Sequence, residues 1–443
     1  MADNTEPAPV RRDTGRPRNR RPHWLRSHAI DTRPLATPVF RRLFVGQSAS
    51  YVGTALTEVA VPVQVFAISH SSLDVGLVGV AGLLPLLVFG LYGGAVADAV
   101  DRRTLYFWAS ASTWVITVAL LAQTLLDVRS VGLVLGLTAC QAAGFAITSS
   151  VGAAITPRIV EPGLVPAANT LIYSTGTVAG VVGPLLAGLL VTGTNGFAWA
   201  YGIDAVLFTA ALYARRRLPR LPPEGGGTTL GLRSVADGLK FIAARPVLVM
   251  SFAVDICAMV LAMPTALFPA VAASQFPGFV GLLYAAIPLG SVLAALGSGW
   301  IGRVRRQTAV LSAAVVLWGL AVALSGLAGQ LWLVMTLLVV AGAADLVSAV
   351  LRQTIMQTYV PDRMRGRLQG VYTVVVTGGP RLGDLRAGAT AVVLSAGLSW
   401  SIGGIACAVI VATVAPLVRT FWTYDASTQI AADDEARPAQ DTS

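Results

Sequence analysis

Seven charged side chains interrupt long apolar runs of this sequence. An ionisable residue inside a membrane-spanning segment marks a proton relay, an ion path or a substrate contact unless a partner neutralises it. The acids among the seven can exchange protons, and the arginines can attract an anionic ligand. The seven residues are Glu58, Asp255, Asp345, Arg352, Arg381, Asp384 and Arg386.

The first of these acids belongs to a polar stripe. Gln47, Tyr51, Thr54 and Glu58 are spaced so that they share one face of an α-helix, which we predict to line a central cavity. Glu58 lies about 22 Å from the predicted start of its helix, near or slightly beyond the middle of a bilayer. We predict that Glu58 is the main proton-coupling residue. The alternative is a neutral carboxyl group that is hydrogen-bonded within the bundle and has no role in transport.

The three acids and three arginines of the second half balance in charge, which favours ion pairs. Asp345 and Arg352 share a helix face, and Arg381 and Asp384 are close enough along a helix to meet directly. One interpretation is a buried ion-pair network that holds helices together; the others are proton exchange at an acid and attraction of an anionic substrate by the arginines. Asp204, in the sixth apolar run, is predicted to be structural. The proton-coupling candidates are Glu58, Asp255, Asp345 and Asp384, and the cavity or substrate candidates are Tyr51, Thr54, Gln141, Arg352, Arg381 and Arg386.

The composition indicates that these residues lie on membrane-spanning helices. Of 443 residues, 55% are hydrophobic and 12% are charged, and the mean hydropathy is +0.69. Ordinary soluble domains have about 25% charged residues. The net charge of +10 comes from arginines at the ends of apolar runs, so it indicates topology rather than nucleic-acid binding. The three isolated cysteines indicate neither a disulfide framework nor a metal site.

Apolar runs between polar breaks predict an all-α integral membrane protein with twelve transmembrane helices in two groups of six. The seventh is predicted as one continuous helix over 247–273. Arginines concentrate on alternate connections, which predicts a multi-pass protein of the cell membrane with both termini in the cytoplasm. The linker sequence SVADGLKFIAAR predicts an amphipathic surface helix. The predicted organisation is a disordered basic tail (1–42), a first half (43–214), a linker (215–246), a second half (247–418) and a disordered acidic tail (419–443).

The two halves resemble each other in sequence. ITPRIVEPGLVPAAN (155–169) aligns without a gap on IMQTYVPDRMRGRLQ (355–369), and Gly183-Pro184 corresponds to Gly379-Pro380. Homologous halves are typical of secondary transporters, whose substrate site lies near the midplane between them.

A motif between the second and third predicted helices resembles a family signature. GGAVADAVDRR (93–103) is similar to the cytoplasmic signature of the major facilitator superfamily, and it departs from that pattern at Ala99 and Asp101. The resemblance implies a cytoplasmic gate, in which charge-assisted hydrogen bonds would hold neighbouring helices together. The alternative is that the arginines only mark topology. The predicted gate residues are Gly94, Asp98, Arg102 and Arg103.

A glycine-rich stretch in the fifth predicted helix is similar to a second signature. GVVGPLLAGLL (180–190) resembles the fifth-helix signature of drug–proton antiporters, although Ala179 and Ala187 stand where that pattern has glycines. The resemblance implies a tightly packed contact that prevents leakage during antiport, because small residues let helices approach closely. Generic helix packing is the alternative. The residues of this predicted helix-5 seam are Gly180, Gly183, Pro184 and Gly188.

With the segment VPDRMRGR, these motifs resemble the enterobactin-exporter-like branch of the superfamily, the transmembrane secretion effectors, over about residues 40–420. The resemblance implies two six-helix halves, each of 3+3 inverted repeats, in a monomer. It implies alternating-access transport: proton-coupled efflux of an amphipathic drug, dye or natural product, with the proton gradient as energy source and no cofactor. The alternatives are export of an acidic metabolite or siderophore, uptake by symport, and a non-transporting membrane sensor of transporter ancestry. The expected partners are lipid, protons and a small-molecule substrate, and the sequence contains no motif of an enzyme.

Overall fold

The computed structural model describes residues 31–222, 232–360 and 362–425, and all regular secondary structure within them is helical. Most of the two predicted tails lies outside these residues. The helices of the first half are α1 Pro38–Ser69, α2 Ser72–Ala99, α3 Arg102–Leu125, α4 Val131–Ile159, α5 Val165–Val191 and α6 Gly196–Arg216. Those of the linker and the second half are α7 Leu232–Ala243, α8 Pro246–Ala262, α9 Phe268–Gln275, α10 Val280–Leu296, α11 Gln307–Leu327, α12 Leu331–Tyr359, α13 Asp362–Val393, α14 Ala396–Leu417 and α15 Arg419–Trp422.

Within the described residues, 10 segments are long and apolar enough to cross a membrane, and α8 and α9 together form one of them. Two further helices, α10 and α13, do not meet these criteria of length and apolar composition. Helix α10 is shorter, at 17 residues or about 25 Å, and the 32 residues of α13 include three charged residues in its second half. The protein is therefore an all-α, multi-pass membrane protein.

The first helix begins earlier than the sequence predicted. Pro38 occupies the first turn of α1, where its fixed backbone angle favours a helix and its missing N–H costs no hydrogen bond. Residues 38–42, predicted as tail, are therefore helical. Glu58 lies 20 residues beyond Pro38, about 30 Å along the helix instead of 22 Å. Helix α1 ends at His70, whose backbone is left-handed (φ 53°) and whose N–H donates to the Phe66 carbonyl at 2.8 Å.

The span predicted over 247–273 is confirmed, but it is not one continuous helix, because the chain breaks between α8 and α9. Met263 is extended, with φ −73° and ψ 120°, since the following Pro264 disfavours a helical conformation at the residue before it. A 3-10 turn over Thr265–Leu267 then leads into α9. The break leaves carbonyl groups at the end of α8 and N–H groups at the start of the next turn without helical partners.

The two most extensive contacts between the halves of the molecule are those of α2 with α13 and of α5 with α10. Both contacts are close near the ends where α1 and α2 are joined. A side-chain carbon at Gly76 would meet the backbone of Leu385 at 3.0 Å, and one at Gly388 would meet the Cα of Leu73 at 3.0 Å. We call this the closed end of the molecule.

At the opposite end of the same helices, the halves are apart. A side-chain carbon at Gly90 of α2 or at Gly370 of α13 would meet no described atom within 4 Å. Leu296, the last residue of α10, is 83% exposed, and Tyr173 near the start of α5 is also exposed. A central cleft therefore separates the halves, and it opens at the end that carries the linker helix.

The linker forms the helix that the sequence predicted. Helix α7 contacts α13 and α8. Ile242 is buried, whereas Leu239 and Lys240 are exposed, so the helix has a packed side and a free side.

Candidate functional site

Glu58 lies where the polar stripe of α1 reaches the central cleft. Its neighbours Thr57 and Val59 are buried, whereas the Glu58 side chain is exposed in the interior of a long helix. No hydrogen bond or ion pair binds its carboxylate in the described part of the chain. Tyr51 and Thr54, on the same face, are half-buried. Gln47, at the start of the stripe, accepts hydrogen bonds from Tyr106 and Arg215 of the same half. Glu58 is thus the exposed, charged member of the stripe, and a stripe that lines the cleft along its whole length stays a prediction.

Arg381 faces Glu58 from the other half of the molecule. Its guanidinium group lies against Gly82 of α2, and its backbone lies beside Gly79, where a side-chain carbon would be 3.1 Å from the Arg381 carbonyl oxygen. Glu58 and Arg381 interact electrostatically, although no ion pair within 4 Å joins these two described residues. They lie at similar depth, about 16 Å and about 18 Å from the closed ends of their helices. The structure thus brings these two predicted site residues together across the cleft.

A second acid lies directly behind Glu58. The hydroxyl group of Thr57 donates a hydrogen bond of 2.6 Å to Oδ2 of Asp204 on α6. The other carboxylate oxygen of this buried residue has no hydrogen-bond partner among the described residues. Asp204 also interacts electrostatically with Glu58. The close approach of α6 requires a glycine at position 53, because a side-chain carbon there would lie 3.0 Å from the Cα of Asp204. In the sequence, Gly53 is the only sign of this contact.

The charges near the end of α13 complete the hydrogen bonding of the broken helix. Asp384 accepts hydrogen bonds from the Thr265 hydroxyl group and from the Ala266 N–H, the latter at 3.0 Å, at the start of the turn after the break. Arg386 donates to the carbonyl groups of Val260 and Leu261 at the end of α8. An acid thus lies at a helix start and a cation at a helix end, as helix dipoles favour.

Two predictions for these residues are wrong. Arg386 also donates to the Ser399 carbonyl at 3.2 Å, so each of its three nitrogens is held by a backbone oxygen of the protein and the side chain is structural. Asp384 binds the turn after α8 instead of forming a direct ion pair with Arg381.

A separate ionic cluster lies inside the second half. Asp255 of α8 and Arg352 of α12 form an ion pair whose side chains are 1% and 3% exposed. The guanidinium group also lies 5.8 Å from the centre of the Tyr372 ring. Asp345 is half-buried and interacts electrostatically with both. This cluster confirms the predicted buried network for α8 and α12, and the charges of α13 form no ion pair with it among the described residues. The prediction of Arg352 as a cavity residue is wrong, because its side chain is enclosed.

The last cavity candidate contacts a neighbouring helix. Gln141 of α4 is half-buried and donates a hydrogen bond of 3.4 Å to the Thr117 hydroxyl group on α3. Its neighbour Ala142 lies beside Gly82 of α2, near the Arg381 guanidinium group. Gln141 therefore lies close to the cleft, and its contact with a substrate stays a prediction.

The family of the chain follows from comparison with known proteins. The model of the transmembrane secretion effectors, of the major facilitator superfamily, matches residues 30–441. The chain belongs to this family. The enterobactin exporter EntS of Shigella boydii serotype 18 is 31% identical to this secretion effector over 357 residues, which cover 78% of the chain and 83% of EntS. Like its relatives, it is a transporter and not an enzyme.

Solved structures share the fold of this secretion effector. The nucleoside transporter NupG has a TM-score of 0.69 at 15% identity, covering 87% of this chain and 99% of NupG. A bacterial homologue of the iron transporter ferroportin, in an inward-facing state, has a TM-score of 0.67 at 12% identity and covers 87% of this chain and 99% of its own. At these identities the likeness concerns the fold alone.

The gate motif of this secretion effector is only partly within the described side chains. Gly94 and Asp98 lie on α2, where the structure describes the backbone alone. Arg103 donates a hydrogen bond of 2.9 Å to the Arg216 carbonyl at the end of α6. The N–H of Arg102 donates to the Leu221 carbonyl at 3.1 Å. These bonds hold α3 to the end of α6 within one half, and a gate between the halves stays a prediction.

The helix-5 seam packs α5 of this secretion effector against two partners. A side-chain carbon at Gly183 would meet the backbone of Ala55 on α1 at 3.1 Å. Near the closed end, a side-chain carbon at Gly188 would lie 2.6 Å from the Cα of Gly281 on α10, and Pro184 approaches the same glycine. The prediction of close packing is confirmed for this stretch.

Replacing Gly188 by alanine is expected to destabilise the protein by about 1–3 kcal/mol, because the added carbon collides with backbone that cannot rotate away. The matched control is Gly180→Ala, where the added carbon would lie at an ordinary 3.8 Å from the Pro288 side chain. Thermal unfolding of both purified variants in the same detergent measures the difference. Equal unfolding temperatures would contradict close packing of α5 against α10.

Proposed function

We propose that this protein is a secondary active transporter that exports a small molecule by alternating access, driven by the proton gradient. The observation that carries the proposal is the position of Glu58 and Arg381. They come from different halves, interact across the central cleft, and form no direct ion pair. In this arrangement the carboxyl group of Glu58 can bind and release a proton. The guanidinium group of Arg381 can bind an anionic group, which then competes with the Glu58 carboxylate for it.

The architecture that we propose has twelve transmembrane helices in two six-helix halves, each of 3+3 inverted repeats, as in other transporters. This count treats α10 and α13 as spans and α8 with α9 as one span. A parallel between the halves supports it: Gly183 of α5 packs on Ala55 of α1, and Gly379 of α13 packs on Met259 of α8. The distribution of arginines supports an orientation with both termini, and hence the open end of the cleft, on the cytoplasmic side.

Coupling follows if attraction between ionised Glu58 and Arg381 stabilises both open states relative to the occluded state through which the protein passes between them. A ligand can shift the balance between these states only by binding one of them better than another. An anionic substrate that binds Arg381 from the cytoplasm weakens the attraction and allows the outer end to open. After the substrate leaves, a proton from outside neutralises Glu58 and allows the return. The empty, unprotonated protein does not change state, so protons and substrate do not leak separately.

A siderophore or another acidic metabolite is the second candidate substrate, beside an amphipathic drug or dye. The similarity to an enterobactin exporter favours it. Among the predicted arginines, Arg352 and Arg386 are occupied by protein groups, so Arg381 is the one left to bind an acidic substrate. A non-transporting sensor would not require a cleft with an unpaired acid.

The test is transport into inverted membrane vesicles with an acidic interior, using siderophores and cationic dyes as a panel. We expect one class to accumulate inside while the pH gradient lasts, and a protonophore to abolish accumulation. Vesicles without the protein are the control. Accumulation of siderophores alone would favour the second candidate, and equal accumulation without a gradient would contradict proton coupling. If no compound moves, the proposal of an exporter for these classes fails.

A further inference from the structure

A charged pocket lies on the first half, away from the central cleft, where α3 begins and α6 ends. Its volume is about 540 Å³, within the range of small-ligand sites. In the sequence Arg103 lies more than a hundred residues from Arg216 and Arg220, and the predictions were a gate role for Arg103 and a topology role for the other two. The residues that line the pocket are Asp101, Arg103, Thr104, Phe107, Trp108, Arg216 and Arg220.

Three arginines and one aspartate leave this pocket positively charged. The aspartate is occupied: Asp101 accepts hydrogen bonds from the N–H groups of Thr104 and Leu221, both at 3.0 Å. Burial raises the pKa of Asp101, but these hydrogen bonds outweigh it and leave the pKa below its ordinary value. The carboxylate thus fixes the loop around the pocket and forms no ion pair with the lining arginines in the described part of the chain.

The side chains of Arg216 and Arg220 are exposed and have no hydrogen-bond or ion-pair partner among the described residues. Arg103 uses one nitrogen for the Arg216 carbonyl and is otherwise accessible from the pocket. Guanidinium groups bind phosphate oxygens through paired hydrogen bonds, so three converging arginines fit a phosphate group.

The pocket lies at the ends of two membrane-spanning helices, where a membrane surface is expected. Arg103 is at the start of α3 and Arg216 at the end of α6, whereas Trp108 lies about 7.5 Å beyond Arg103 along α3. Trp108 is 66% exposed on the outside of the bundle. Exposed tryptophan beside arginine is typical of the boundary between lipid headgroups and acyl chains.

From the charge, the place and the exposed aromatic side chain, we infer that this pocket binds the phosphate of an anionic phospholipid headgroup. Arg103, Arg216 and Arg220 contact the phosphate oxygens, and Trp108 packs against the glycerol and the first part of the acyl chain. Because Arg103 belongs to the predicted gate motif, the lipid would hold the α3 start and the α6 end together. This inference is independent of the transported substrate.

The test measures binding of phosphatidylglycerol to the purified full-length protein in detergent, by native mass spectrometry and by the increase in unfolding temperature. The variant is Arg216→Gln with Arg220→Gln, which keeps the Arg216 carbonyl that Arg103 uses. We expect affinity for the lipid to fall about 30-fold, from roughly a factor of five for each arginine near a membrane surface. The single variant Arg220→Gln, outside any helix, is the fallback if the double variant unfolds.

The matched control is Arg217→Gln with Arg419→Gln, which removes two exposed arginines that do not line the pocket. It should bind phosphatidylglycerol as the parent does. Equal loss in both double variants would overturn the assignment of a site, and equal binding of phosphatidylcholine would overturn the requirement for net negative charge. Inorganic phosphate and glycerol phosphate form a further arm. If either binds as tightly as the lipid and loses binding in the first double variant, the ligand is a soluble phosphate and the lipid assignment is wrong.

Discussion

Replacing Glu58 by glutamine is expected to reduce gradient-driven accumulation in inverted vesicles to the level of vesicles without the protein. The amide cannot bind or release a proton, and it removes the negative charge that attracts Arg381. The protein should fold, because the Glu58 carboxylate accepts no hydrogen bond in the described part of the chain and its loss leaves no donor unsatisfied. Exchange of labelled substrate without a pH gradient should persist, since the variant resembles the protonated protein.

The matched control for this prediction is Glu161→Gln, the same chemical change in the exposed loop between α4 and α5. It should accumulate substrate as the parent does. A second variant, Asp204→Asn, separates the acid at the cleft from the buried acid behind it. If Glu58→Gln still accumulates substrate against its gradient while Asp204→Asn does not, the coupling role belongs to Asp204. Unchanged accumulation in both would place coupling outside this pair of acids.

Replacing Arg352 by methionine is expected to destabilise the protein by about 3–5 kcal/mol, since it leaves the buried Asp255 carboxylate without its counter-charge. Asp255→Leu should cost a similar amount, because it leaves a buried guanidinium group. The double variant should recover most of the loss, since two apolar side chains replace an ion pair whose desolvation is itself costly. Thermal unfolding in one detergent gives the comparison.

The exposed pair of Arg129 and Asp127 provides the control for this cycle. Its side chains are 75% and 77% exposed, so Arg129→Met should change stability by less than about 1 kcal/mol. If the double variant of Asp255 and Arg352 is as unstable as the single variants, the pair acts with Asp345 as a three-residue network. If it is stable but inactive in vesicles, the cluster has a role in transport that its burial does not reveal.

The charges of α13 illustrate how far the sequence could be interpreted. The balance of acids and arginines favoured ion pairs, but in the described part of the chain Asp384 and Arg386 bind hydroxyl and backbone groups instead. Their partners could not be predicted. Asp384 and Arg386 bind backbone groups that have no helical hydrogen-bond partner because the chain breaks at Met263. The two prolines near 264–269 signalled the break, but hydrophobicity continued across it.

The sequence by itself determined the class of the protein, because hydrophobic segments of bilayer length and arginines at their ends are local properties of the chain. The stripe that contains Glu58 and the glycine seam of α5 followed from helical periodicity for the same reason. Only the tertiary structure decided which charges meet. It places Arg381 opposite Glu58, encloses Arg352 with Asp255, and brings Arg216 and Arg220 to Arg103. Pairing of this kind depends on how helices that are distant in sequence pack and rotate against one another, which residue spacing within one helix does not specify.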